Sequence, residues 1–465
     1  MLLRPLLRTF VALLAASPVA APLSAASPLA VASPRDDERE AKAPSPKPTG
    51  AVYQWKSASG APFEYFVPKS YDPQQGANLT VVLHGNGLDY RWTFWNHPAG
   101  EFRPDDIVVS LEGTEKLAST GAFEFVAGRA SCTAVHEQLE ELKAVFKVNQ
   151  TFLYGHSQGS FFVYEYAGEY PKDVAGVVGH AGALWMSSKL AKANHGQAIA
   201  FLHGTDDANV PWGQSVAGRT AYREAGYPRV HLRTLWDWPH APNWQQAQNQ
   251  LAWCEGMTSE SAERVAAALA TLSETKVTGG LDPAALHAVA ARLEGLAGAS
   301  SAQKGAATRA RSAVEKSATA IAAAIDKSLG KEKLTKAGGA PWHGMALRFL
   351  EDFDGVPGCA AWCKAHAAEL AAVEKVATDG AREFWQQADK GPEKAFKLGV
   401  DLLEGGWRNP YIRDVAAKVE GWLGDGAAKI PKKEAARATA LLAAWKKGRE
   451  EGFAAYAKLL KELTP

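Results

Sequence analysis

Six short apolar runs, rich in β-branched residues and several ending in glycine, alternate with helical stretches through the first half of the chain. They are Leu79–Gly85, Asp106–Gly113, Thr151–Gly155, Val174–Gly182, Ala198–Gly204 and Arg229–Trp236. A strand that passes into a loop at glycine reads this way. Between the runs, Cys132–Phe146 places Val135, Leu139, Leu142 and Phe146 on one helical face, and Ser215–Gly226 is a second such stretch. Strands alternating with helices predict an α/β fold, a doubly wound, mostly parallel sheet, over residues 51–257.

The pattern changes after Met257. Residues 258–465 are rich in Ala, Lys, Glu and Leu and nearly lack β-branched runs. Asp282-Pro283 and Asn409-Pro410 fit an N-cap followed by the first helical position, and Lys429-Ile430-Pro431 opens a last helix. No fixed repeat length recurs, which argues against a solenoid. An all-helical second domain follows from this. Two domains also suit 465 residues, more than one ordinary core accommodates.

The first 32 residues carry Arg4 and Arg8, a short apolar core from Phe10 to Ala16, and then small residues. That is the pattern of a secretory signal peptide, too short to span a bilayer, and it predicts a secreted or periplasmic product. Residues 33–50 are polar and proline-rich and are expected to form a flexible linker. A net charge of +1 gives no reason to expect nucleic acid, and no later segment reads as a membrane span.

Four cysteines in an exported chain allow three disulfide connectivities. Pairing Cys132 with Cys254 and Cys359 with Cys363 keeps each bridge within one domain. Buried free thiols are the alternative. As a metal half-site, Cys359 and Cys363 lack nearby partners in the sequence.

The chemistry centres on Gly155-His156-Ser157-Gln158-Gly159. Alone, GxSxG is a weak signal, but here it follows a strand and opens a helix, as a nucleophile elbow must. A serine hydroxyl needs a base, the base needs a carboxylate, and the reaction needs donors for the oxyanion. Each part has a candidate in the order Ser157, Asp207, His240. Asp206 and Asp207 follow the strand ending at Gly204, and His240 lies just past another strand end. The amides of Gln158 and of Gly85 or Asn86 are the candidate oxyanion donors. His84 is expected to orient that turn. His231 lies inside a strand and reads as structural.

These segments (LHGNG, YGHSQGS, LHGTDDANVP and WPHAPN) resemble the α/β-hydrolase superfamily. The nearest likeness is to secreted carboxylesterases of the polyhydroxybutyrate-depolymerase and feruloyl-esterase kind, over residues 52–257. In that family the acid stands four residues after a histidine, which selects Asp207, counted from His203. Ser160, where such esterases commonly have glycine, and the tryptophan-rich loops depart from the pattern. The resemblance implies cleavage of a small-molecule or polymeric ester without a cofactor. A peptidase of the same fold and an inactive hydrolase-like scaffold are the alternatives. The helical half resembles no named family and is assigned an unidentified partner.

Trp92, Trp95, Trp185, Trp212, Trp236, Trp238 and Trp244 cluster near these loops. Trp92 and Trp212 are the candidates for an aromatic cleft wall, with His180 lining the pocket; core packing is the competing role. No histidine pair has metal-ligand spacing, so no metal is expected.

Overall fold

The six apolar runs form the parallel core of one eight-stranded sheet. In the computed structural model, which describes residues 39–444 except 118–120, 186–187, 189, 191–195, 208, 275–276, 330–340, 407–411 and 425–429, they are β3 (Ala77–Leu83), β4 (Ile107–Leu111), β7 (Val148–His156), β8 (Gly176–His180), β9 (Ala198–Gly204) and β10 (Val230–Leu235). Two further strands, β1 (Val52–Lys56) and β2 (Pro62–Phe66), form an antiparallel hairpin at one edge. The order is β1-β2-β4-β3-β7-β8-β9-β10, with β2 antiparallel to β4 and all later pairings parallel. A small hairpin, β5 (Glu115–Lys116) and β6 (Phe123–Glu124), stands apart from the sheet.

Alternate strand residues point to opposite faces, and each face has its own helices. Leu79, Val81, Leu153, Val177 and Phe201 pack with α2 (Arg129–Val145), α3 (Gln158–Glu169) and α4 (Trp212–Glu224) in one buried cluster. The other face is covered by α5 (Trp244–Thr258), which packs on β7, β8 and β9. A short α1 (Trp92–Asn96) lies between β3 and β4 in sequence.

This layering corrects the expected Cys132–Cys254 bridge. Cys132 belongs to the buried cluster on the α2 face, whereas Cys254 is carried by α5 against Gly176. The sheet separates them, and no disulfide joins any of the four cysteines, including Cys359 and Cys363.

Among the described residues, one compact unit ends at Leu281, with Gly295–Ser300 added, and the second comprises Asp282–Glu294 and the residues from Ser301 onward. The first unit therefore includes α6 (Ala262–Leu272), whose N-cap Ser261 accepts from the Arg264 N–H at 3.4 Å. It also includes residues 277–281, which the first unit holds tightly. Arg233 donates to the carbonyls of Gly279 and Gly280 at 2.7 and 3.2 Å, and Gln246 donates to Gly280 at 2.7 Å.

The second unit is helical. It holds α7 (Pro283–Gly295), α8 (Ser301–Leu329), α9 (Pro341–Asp352), α10 (Pro357–Ala365), α11 (Ala367–Ala388), α12 (Pro392–Gly406), α13 (Arg413–Gly424) and a last helix over 432–444. Asp282 caps α7 by accepting from the Ala285 N–H at 3.1 Å, with Pro283 first in the helix. On α8, Ala307, Val314, Ala318, Ile321 and Ile325 are buried, a spacing of three, four and seven that makes one apolar stripe. Asn409 and Pro410, expected to start another helix, lie outside the described residues, as does the leader. No helix of the described residues is long and apolar enough to cross a membrane.

Residues 39–50 fell in the expected flexible linker, but they are bound to the sheet. Lys42 N–H donates to Gln54 at 3.1 Å and Gln54 N–H to Glu40 at 3.2 Å. Arg39 reaches Glu64 at 3.0 Å and the carbonyl of Phe94 at 2.9 Å. Glu64 is buried, and its Oε2 has no hydrogen-bond partner. Burial raises its pKa to about 7 from the ordinary 4.5, against the attraction of Arg39. A carboxyl that titrates later in the folded than in the unfolded chain makes the native state bind extra protons between those values. Stability therefore falls as pH rises from about 4.5 to about 7. Glu64→Gln is expected to remove this component, so thermal melts of variant and parent diverge on the alkaline side of the window. Parallel melting curves across that range would refute the assignment.

Candidate active site

Ser157 stands at the sharp turn between β7 and α3, with φ of 52° and ψ of −117°. A side chain with positive φ is uncommon and is held only where the surroundings fix it. Here they do. The Ser157 N–H donates to the His180 carbonyl of the adjacent strand at 2.8 Å. The two flanking glycines are needed for space: a Cβ at Gly155 would lie 2.1 Å from the Gly159 carbonyl oxygen, and one at Gly159 would lie 2.4 Å from that of Leu83.

The three residues taken from distant parts of the sequence converge on this turn. His240 Nε2 lies 2.9 Å from Ser157 Oγ, and His240 Nδ1 lies 2.7 Å from Asp207 Oδ2. A carboxylate can only accept, so Nδ1 carries the proton and Nε2 faces the serine hydroxyl as acceptor. Asp207 follows β9 and is fixed on its other oxygen by the N–H groups of Asn209 and Val210, at 2.9 and 2.8 Å. His203 Nε2 approaches Asp207 Oδ2 at 3.2 Å. Burial pushes the Asp207 carboxyl up, but the bonds from His203 and His240 outweigh it and hold the carboxyl well below the usual range. The group facing His240 is thus an anion at neutral pH.

The turn after β3 runs against the nucleophile. A Cβ at Gly85 would lie 3.1 Å from Ser157 Cβ and 3.3 Å from His156 Nδ1. The Gly85 carbonyl accepts from His84 Nδ1 at 2.9 Å and from the Leu88 N–H at 3.2 Å. In a trans peptide the C=O and the next N–H point opposite ways. Holding the Gly85 oxygen toward the buried His84 ring therefore turns the N–H of the exposed Asn86 away from it. His84 is itself braced by buried Glu112, whose Oε1 lies 3.0 Å from Nε2. Gln158, which opens α3, is anchored at its side chain: its amide nitrogen donates to Glu124 at 2.7 Å, and its oxygen accepts from the Phe125 N–H at 3.2 Å. The first N–H groups of a helix lack intrahelical partners and are available to an anion.

Trp92, Trp212 and His180 are all buried. Trp92 packs against His156 and Trp244 at ring separations of 5.4 and 4.6 Å. Trp212 donates to Thr234 at 3.1 Å and packs near Trp236. His180 Nδ1 meets the Tyr154 hydroxyl at 3.0 Å. All three are packed into the fold, and Trp92 also touches the residue beside the nucleophile. His156, beside Ser157, is also enclosed. Burial and the neighbouring His240 push its pKa down to about 3, so this ring stays neutral next to the base.

Residues 130–251 match the family model for phospholipases and carboxylesterases. The chain resembles α/β-hydrolase esterases. That match takes in Ser157, Asp207 and His240 and stops before the helical unit. No curated protein matches the chain. Among solved structures, a carboxylesterase from Mesorhizobium loti is 16% identical, covering 41% of this chain and 94% of that one with a TM-score of 0.34. A ferulic acid esterase is also 16% identical, covering 43% and 94% with a TM-score of 0.34. A thermostable esterase is 18% identical, covering 47% and 62% with a TM-score of 0.33.

Glu112, Glu124 and the direct approach of His203 to the Asp207 carboxylate are contacts that the sequence reading did not name. His203 had a local signal, since it precedes Asp207 by four residues. Glu112 and Glu124 had none: Glu112 meets His84 only through the pairing of β4 with β3, and Glu124 reaches Gln158 from the separate β5–β6 hairpin.

Proposed function

We propose that this chain is an exported serine hydrolase that cleaves a carboxylic ester through an acyl-enzyme. The observation that carries the reading is the unbroken line from Ser157 Oγ to His240 to Asp207, at 2.9 and 2.7 Å. His240 Nε2 takes the hydroxyl proton as Ser157 Oγ attacks the ester carbon. Asp207 holds the ring and stabilises the imidazolium that forms. The negative charge collects on the former carbonyl oxygen, where the N–H groups of Gln158 and of Gly85 or Asn86 are the donors. His240 then gives its proton to the departing alkoxide. Water, activated by the same ring, attacks the acyl carbon and restores Ser157. Export is supported by the leader-like pattern of residues 1–32.

A fluorophosphonate probe tests the reading directly, because serine attack on phosphorus expels fluoride and leaves a stable adduct. The full chain is expected to gain one label at Ser157, and Ser157→Ala to gain none. Labelling that survives this replacement, or a parent protein that stays unlabelled, would defeat the proposal.

A further inference from the structure

The helical unit carries a pair of thiols that ester cleavage does not use. Cys359 and Cys363 stand four residues apart on α10, so their side chains share one face. Cys359 is buried and Cys363 half-buried, and their sulfurs lie 3.8 Å apart. The Cys359 thiol also donates to the Phe349 carbonyl oxygen at 3.5 Å.

Two chemistries compete for sulfurs this close. A disulfide needs Cβ atoms about 3.5–4.5 Å apart and sulfurs at about 2.05 Å. Residues four apart on a helix hold their Cβ atoms about 5–6 Å apart, so closing that bond would distort α10. A tetrahedral ion bonded at about 2.3 Å to each sulfur instead requires the sulfurs to be about 3.8 Å apart. The observed spacing meets the second requirement without moving the backbone.

We propose that Cys359 and Cys363 form a bidentate dithiolate site for a soft divalent cation of the zinc and cadmium class. Binding replaces two S–H bonds by two metal–sulfur bonds and releases two protons, with no change of oxidation state. Water or another small donor completes the coordination. The bound ion staples one turn of α10.

The test uses the full chain, reduced and freed of metal, titrated with Cd2+. One ion per chain is expected, with a thiolate-to-cadmium absorption band and two protons released. The band should vanish in Cys359→Ser and in Cys363→Ser and persist in Cys132→Ser. Because Cys359 is buried, the unmodified protein provides the second measurement. Cd2+ should protect both Cys359 and Cys363 from alkylation, as read by mass spectrometry. No band, a band that survives either serine replacement, no protection, or thiols that are already joined before reductant is added would each overturn the proposal.

Discussion

Replacing His240 with alanine is expected to lower turnover of an activated ester by several orders of magnitude, up to about 10⁶-fold. The imidazole lies within hydrogen-bond distance of both Ser157 Oγ and the Asp207 carboxylate. Without it the hydroxyl has no proton acceptor, and the buried anion of Asp207 has no reacting partner. The side chain is partly exposed, at 16%, and lies on a loop. Thermal denaturation should therefore shift little, since few packed contacts are lost. The measurement is kcat on a nitrophenyl ester beside a melting curve. Turnover within tenfold of the parent would show that another base serves Ser157. A collapsed melting curve would show that His240 is needed for folding.

The second large effect is structural and falls on Gly155. An alanine there places its methyl 2.1 Å from the Gly159 oxygen, 2.3 Å from the Gly159 carbonyl carbon and 2.7 Å from the Ser160 nitrogen. All three are backbone atoms at the start of α3, so no rotamer change relieves the clash. The turn that gives Ser157 its positive φ must open. We expect a loss of about 3 kcal/mol or more, and a melting point lowered by roughly 6–12 °C. Fluorophosphonate labelling should fall with it. A Gly155→Ala protein that melts and labels like the parent would mean that the elbow is looser than its packing indicates.

The parallel strands were legible because a strand buried on both faces must be apolar nearly throughout, and runs such as Leu79–Gly85 announce this. The β1–β2 hairpin was not, because VYQWK and PFEYF mix aromatic, polar and charged residues at a sheet margin. The order serine, acid, histidine could be read from strand ends, and the three side chains meet in space. What surrounds them could not be read. Cys132 and Cys254 are carried by helices that cover opposite faces, and nothing local in a helix's sequence says which face it will cover. Glu112 reaches His84 because β4 pairs directly with β3, a neighbour relation that exists only once the sheet is assembled. Trp92 illustrates a further limit. The sequence places Trp92 close to the catalytic loops but does not show that its ring packs on His156 and Trp244, contacts made by residues far away in the chain.

The segment from Arg39 to Lys42 lies along the outer side of β1, exchanging main-chain bonds with Gln54. An unpaired margin of a sheet is a template for the same margin on another molecule and a start for aggregates. This short stretch occupies part of that template. Removing residues 39–42 would uncover that margin of β1 and is expected to favour self-association.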